Sequence, residues 1–235
     1  MVAAQVAKTC NVNANVAPTN GESLVGVRES PCEPIYMDNN ATTPVDPRVL
    51  SAMLPWFSEN FGNPSSITYS QGVKAKQALE KARGEVADLL GADSPSEIVF
   101  TSGATEANAI AISGTIEYIA IASRKRGECS PILPHIVTSK LEHNCVLGSC
   151  ERLEQLGLAT VTYIGVATPD GVTYAPQVED ALQPNTVLVS IMLANNEIGV
   201  INDIPAIAFL CQERGILLHV DGSQGVRALP AYKLE

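Results

Sequence analysis

Ile98-Val99-Phe100-Thr101-Ser102-Gly103-Ala104-Thr105-Glu106-Ala107-Asn108 is the stretch whose reading decides the fold. Its three leading apolar residues predict a buried strand, the small residues after them a tight turn, and Ala107 to Ile112 a helix of low side-chain bulk. The unpaired N–H groups of a first helical turn favour an anion, most often a phosphate. Gly103 lets backbone approach a ligand closely, and the hydroxyls of Thr101, Ser102 and Thr105 add donors. Ser, Gly and Thr also stand at such turns merely as caps. Both readings stay open until the rest of the chain is weighed.

Toward the N-terminus, Pro47 to Phe57 reads as a helix with proline in its first turn and apolar Val49, Leu50, Met53 and Leu54. A long amphipathic helix follows from about Gly72 to Leu90. Val73, Leu79, Ala82, Val86, Leu89 and Leu90 form its expected buried stripe, and Gly91 its stop. Toward the C-terminus the elements alternate. His135 to Ser139, Thr160 to Ile164, Thr186 to Leu193 and Ile216 to Val220 read as strands. Glu142 to Gln155, Pro176 to Leu182 and Asp203 to Arg214 read as helices between them. That rhythm predicts an α/β fold, a mostly parallel sheet with helices on both faces. Ligands sit beyond the carboxyl ends of such strands. Gly103-Ala104-Thr105, Glu142-His143, Asn195-Asn196-Glu197 and Asp221 with Gln224 all fall there, which favours the phosphate reading over the capping one.

At 235 residues, 46% hydrophobic and 17% charged, the chain can bury a sizeable core and is no disordered polymer. Its net charge of −10 argues against nucleic acid or an anionic membrane surface as a partner, so a phosphate site has to be local. No apolar run approaches the ~18 residues that span a bilayer. The six cysteines show no C-x-x-C pair and no zinc spacing, and read as reduced thiols of an intracellular protein. Cys145 reads as a small buried apolar side chain. Residues 1–33 lack periodicity and read as a flexible arm ahead of one domain over 34–235.

Three positions carry candidate chemistry. Asp221 ends an apolar strand, either capping the next turn or fixing the charged ring nitrogen of a cofactor such as pyridoxal 5'-phosphate (PLP). His143 follows another strand, as a structural histidine or as one that lies on a cofactor ring and relays protons. Asn195-Asn196-Glu197 offers amide donors and an acid, or simply a turn.

Six segments in order then carry a resemblance: Asp38-Asn39-Asn40-Ala41-Thr42-Thr43-Pro44, Phe61-Gly62-Asn63-Pro64-Ser65-Ser66, Thr101 to Glu106, Glu142-His143, Asn195 to Gly199, and His219-Val220-Asp221. From about Ile35 onward the chain resembles the cysteine desulfurases, in the class V branch of the aspartate-aminotransferase-like PLP enzymes. The resemblance implies the large-domain fold of PLP-dependent transferases. It implies that Gly103, Ala104 and Thr105 hold the cofactor phosphate and that His143 stacks on the ring and moves protons. It further implies that Asp221 pairs with the ring nitrogen while Asn196 and Gln224 hydrogen-bond the phenolic oxygen. The implied substrate is L-cysteine, converted to alanine with sulfur held as a persulfide. The implied partners are a second copy of the chain and a sulfur acceptor or iron-sulfur scaffold protein, in cytoplasm or an organelle.

Two of the family's parts find no match here. Its Schiff-base lysine lies in a Ser-Gly-His-Lys segment on a later strand, and neither Lys140 nor Lys233 stands in that context. Its sulfur-accepting cysteine belongs to a later loop, which no cysteine here matches. The domain is therefore expected to be incomplete at its C-terminus and inactive alone. The family's sheet order then leaves Thr160–Ile164, His135–Ser139, Thr186–Leu193 and Ile216–Val220 contiguous, and strips the segment 97–101 of both neighbours. The alternatives are a non-catalytic chain that modulates a full-length desulfurase, or another class V enzyme such as a selenocysteine lyase or aminotransferase.

Overall fold

Residues 35–125, 132–166 and 169–225 are described in the computed structural model. The arm expected over 1–33, Lys233, and Cys10, Cys32 and Cys129 lie outside them. The chain divides into two units, Met1–Met37 and Asp38–Glu235; of the first, only residues 35–37 are described, without regular structure.

In chain order the second unit runs α1 (Pro47–Ser58), α2 (Ser70–Leu90), a 3-10 turn (Pro95–Glu97), α3 (Ala104–Lys125), β1 (His135–Ser139), α4 (Asn144–Gln155), β2 (Thr160–Ile164), α5 (Ala175–Ala181), β3 (Thr186–Ser190), α6 (Ile204–Arg214) and β4 (Leu217–His219). The strands form one sheet in the order β2-β1-β3-β4, every pair parallel. That is the contiguous block the family's sheet order implies. Helical crossovers join these strands, since parallel neighbours cannot be linked by a hairpin.

Strand alternation sorts the core into two layers. Ile136 and Leu188 face Ile112 and Ile116 of α3 and Val146, Cys150 and Leu153 of α4. Val137 and Val189, one residue on, face Val178 of α5 and Ile204, Ile207, Leu210 and Cys211 of α6. Helices thus cover both faces, as the apolar strands require. Gly91 and Gly215 end α2 and α6 with φ of 73° and 65°, a left-handed turn that side chains resist. Beyond β3 the ladder continues through bonds from Ile191 N to His219 O and from Leu193 N to Asp221 O. This carries Asp221 to the carboxyl edge of the sheet.

Two expectations need correction. The buried strand read over Ile98–Phe100 is extended, exposed chain, with Val99 69% and Phe100 46% exposed; its place outside the sheet, with no described strand beside it, is what the family's sheet order implies. It is tied instead to α2, where the Arg83 guanidinium donates to the Ile98 carbonyl and lies 5.0 Å from the Phe100 ring centroid. The stripe predicted on α2 is not buried either, because Val73, Leu89 and Leu90 are exposed while Gly72 and Ala87 are the residues covered. The α1 positions Val49, Leu50, Met53 and Leu54 are exposed likewise. Among the described residues no helix is long and apolar enough to cross a membrane.

Candidate functional site

The edge of the sheet where β1, β3 and β4 end collects the predicted residues. Asp221 lies two residues past β4 and is only 6% exposed. Its Oδ1 accepts from the Ser223 N–H at 3.0 Å and from the Ser223 hydroxyl at 2.5 Å, so it does cap the following turn. Its Oδ2 accepts from the Asn108 amide at 2.8 Å. Burial works to raise the carboxyl pKa, but these donors and the neighbouring His219 outweigh it and hold the group below its ordinary value. Asp221 is therefore an anion at neutral pH with lone pairs left for a cation. The two readings of this residue prove compatible.

His143 is the N-cap of α4, one residue ahead of Asn144. Its Nδ1 accepts from the Cys145 N–H at 3.2 Å and lies 3.0 Å from the Cys145 sulfur. With Nδ1 an acceptor, Nε2 is the atom able to exchange a proton. Cys145 is not the buried apolar filler expected from the sequence. It is half-buried, with its sulfur 3.2 Å from the Asn108 amide nitrogen. Cys150 and Cys211 are core residues, where burial pushes the thiols up to about 12 and about 11.

At the start of α3, Ala107 N donates to Gly103 O at 3.1 Å, the first bond of the helix. The N–H groups before it point out of the helix end. Gly103 has no left-handed φ, and a Cβ built on it meets no heavy atom within 4 Å. Nothing in the chain's own packing demands glycine there, and the space around it is open. Glu106 occupies the flank, its Oε2 accepting from the Ser102 N–H at 2.6 Å and the Ser102 hydroxyl at 2.7 Å. Those two bonds hold its carboxyl below the usual range.

Asn196 and Gln224 meet through a residue the sequence left without a role. The Asn40 amide donates to Asn196 O at 3.1 Å, and Asn40 O accepts from Gln224 Nε2 at 3.2 Å. Asn195 organises the loop, with its Oδ1 accepting from Glu197 N and Ile198 N and its amide donating to Leu141 O at 2.8 Å. Glu142, quoted beside His143 but given no task, is 5% exposed. Its Oε1 accepts from Met192 N at 2.8 Å, while Oε2 is buried without a partner among the described residues. Burial raises this carboxyl to about 8, with the Asp221 charge adding to the shift and the Met192 N–H opposing it, so Glu142 holds a proton at neutral pH.

Asp221, Asn108, Cys145 and His143 thus form one hydrogen-bonded series, and Asn108 stands four residues into α3. At 1.5 Å per residue, the open end of that helix lies roughly 6 Å along the axis from Asn108. Hydrogen bonds through Asn108 and Cys145 thus link a carboxylate, an imidazole and the first turns of a helix. Among the described residues no cluster of His, Cys, Asp and Glu is placed to hold a metal.

Comparison with known proteins finds relatives over most of the chain. The family model described as Aminotransferase class-V matches residues 35–233. Cysteine desulfurase IscS of Rickettsia massiliae is 45% identical over 197 residues, which cover 84% of this chain and 45% of that protein. The mitosomal cysteine desulfurase of Encephalitozoon cuniculi is 47% identical over 192 residues, covering 82% of this chain and 42% of the other. Among solved structures, SspA in complex with cysteine is similar with a TM-score of 0.70 at 42% identity, covering 81% of this chain and 51% of that one. The chain spans about half the length of these relatives.

Proposed function

The chain belongs to the class V aminotransferase family, and on that premise we propose that it carries the cofactor-binding part of a PLP-dependent cysteine desulfurase. The observation that carries this reading is the series Asp221, Asn108, Cys145, His143 beside the open end of α3. The residues present fit the cofactor. Asp221 supplies the fixed anion a pyridinium nitrogen needs, the first N–H groups of α3 with Gly103, Ala104 and Thr105 suit a phosphate, and the room in front of Gly103 admits it.

When bound, PLP supplies an electron sink for bonds at the amino acid's α-carbon. The protein's part is orientation and proton handling. Asp221 would keep the ring nitrogen charged, and His143 would lie on the ring and exchange a proton at Nε2. Asn196 and Gln224, brought together by Asn40, address the phenolic oxygen. L-Cysteine is the proposed substrate, in keeping with a solved relative described in complex with cysteine. A persulfide as product, a sulfur acceptor or iron-sulfur scaffold protein as partner, a homodimer as assembly and an intracellular compartment complete the proposal.

Titration with pyridoxamine 5'-phosphate, which does not react with surface lysines, tests the reading by fluorescence. Saturable binding is expected, weakened at least about tenfold by Asp221→Ala through loss of a charge-assisted contact and unchanged by Glu213→Gln on the exposed side of α6. Absence of saturable binding, or equal affinity in Asp221→Ala, overturns it.

A further inference from the structure

Asn108 is a polar residue in the inward stripe of α3, 5% exposed, one turn before Ile112 and two before Ile116. An amide buried there is costly unless its hydrogen bonds are met. All its recorded bonds leave its own helix. Nδ2 donates to Asp221 Oδ2 at 2.8 Å and to Cys145 Sγ at 3.2 Å, and Oδ1 accepts from His219 Nε2 at 3.2 Å. Because an ionised carboxylate only accepts, the NH2 side has to face Asp221, which settles the amide's orientation. His219 must then donate from Nε2 and accept at Nδ1, where the Ser190 hydroxyl lies 2.8 Å away. Burial, opposed by Asp221, lowers the His219 pKa and favours this neutral form. Ser190, His219, Asn108 and Asp221 form a relay in which every proton is donated toward the carboxylate, each bond polarising the next.

We propose that Asn108 is a positioning residue that locks the Asp221 carboxylate to α3, the helix whose N-terminus would hold the cofactor phosphate, and so sets the spacing between the two charged ends of the cofactor. This rests on the PLP reading above. One side chain joins three elements: α3, the end of β4 and the start of α4. Ala104 and Asn108 are separated by a single helical turn, so the anion cradle and the carboxylate move as one body. The titratable groups that interact with Asp221 are His219 on β4 and Glu142 past β1, while Cys145 at the start of α4, with His143 behind it, is linked to it through Asn108.

The test compares wild type, Asn108→Leu and Asn108→Asp, with circular dichroism to check folding. Pyridoxamine 5'-phosphate affinity is measured across pH, and the Asp221 carboxyl is titrated by carbon NMR in the unliganded chain. Asn108→Leu, unable to donate, is expected to bind about tenfold or more weakly at neutral pH, to move the acid limb of binding to higher pH, and to raise the Asp221 titration midpoint. Asn108→Asp keeps the shape. At acid pH, where the two carboxyls share a proton, it should bind nearly as wild type, and it should lose affinity as pH rises. A loss by the same factor at every pH in both variants would mark a merely structural role and refute the proposal. An Asp221 midpoint unchanged in Asn108→Leu refutes it as well, whether or not ligand binds. Failure of the wild type to bind at all strikes the PLP reading, and the unliganded titration still decides the role of Asn108.

Discussion

The four-stranded block and the α1–α2 region with its attached segment 97–101 are written in much the same apolar alphabet, yet they fare differently. Ile136, Val137, Leu188 and Val189 are sealed between helix layers, whereas Leu54, Phe57, Leu89 and Val99 are largely exposed. The difference is one of partners. Each strand of the block finds a hydrogen-bonded neighbour within the described residues, and each face finds a helix. Segment 97–101 has neither and is held by one arginine. Hydrophobic periodicity marks which face of an element is meant to be covered, while burial depends on what is there to cover it.

The largest expected effect tests that contrast directly. Ile136→Ala, at a fully buried position between α3 and α4, should cost about 3–4 kcal/mol in urea unfolding. Phe57→Ala removes more carbon from a side chain that is 73% exposed and should cost within about 0.5 kcal/mol. Equal losses would mean that α1 is as well packed as the sheet.

Legibility from sequence followed the same divide. The strands, the helices on both faces and the placing of Asp221 and His143 at one sheet edge could be read, because buried strands, caps and turn residues are local signals whose partners lie nearby, whereas the strand order came from the family resemblance. Segment 97–101 lies outside the sheet, as the family's sheet order implied, while its burial and the stripe on α2 were misread because periodicity names a face without naming its cover. Asn108 passed as part of the α3 turn and Asn40 as part of a loop motif, since a bond from residue 108 to residue 221, or from 40 to 224, leaves no mark in local pattern. Glu142 stood in plain view next to His143, and only its unpartnered oxygen shows that it is buried and protonated.

That glutamate supplies a second, smaller probe. Its folded pKa, about 8, lies above the ordinary 4.5. Between those values the folded state keeps a proton that the unfolded chain releases, so stability contributed by this group falls as pH rises and levels off above about pH 8. Glu142→Gln has no proton to lose. It should match wild type near pH 4 and gain on it by up to ~1.4 kcal/mol per pH unit, reaching on the order of 3 kcal/mol near pH 7. Exposed Glu106 shows the reverse sign, its carboxyl held low by Ser102, so its small contribution is present above its ordinary pKa and fades in acid. Urea unfolding across pH distinguishes the two slopes, and a flat difference between wild type and Glu142→Gln would place that carboxylate in contact with water.

Helix caps give the smallest effect and the finest comparison, because the same chemistry occurs in both regions. Asp203 accepts from Ala206 N at 3.2 Å at the start of α6, and Asp46 accepts from Arg48 N at 2.8 Å at the start of α1. On bond length alone Asp46 is the better cap. Yet α6 places Ile204, Ile207, Leu210 and Cys211 in the core, while α1 has no buried residue. Fraying α6 therefore opens the sheet, and fraying α1 opens little beyond itself. Asp203→Ala should lower global stability by about 1 kcal/mol. Asp46→Ala should leave the unfolding midpoint where it was and raise amide exchange within α1 alone. If the longer bond proves the costlier one to lose, a cap's contribution to global stability follows from what its helix covers.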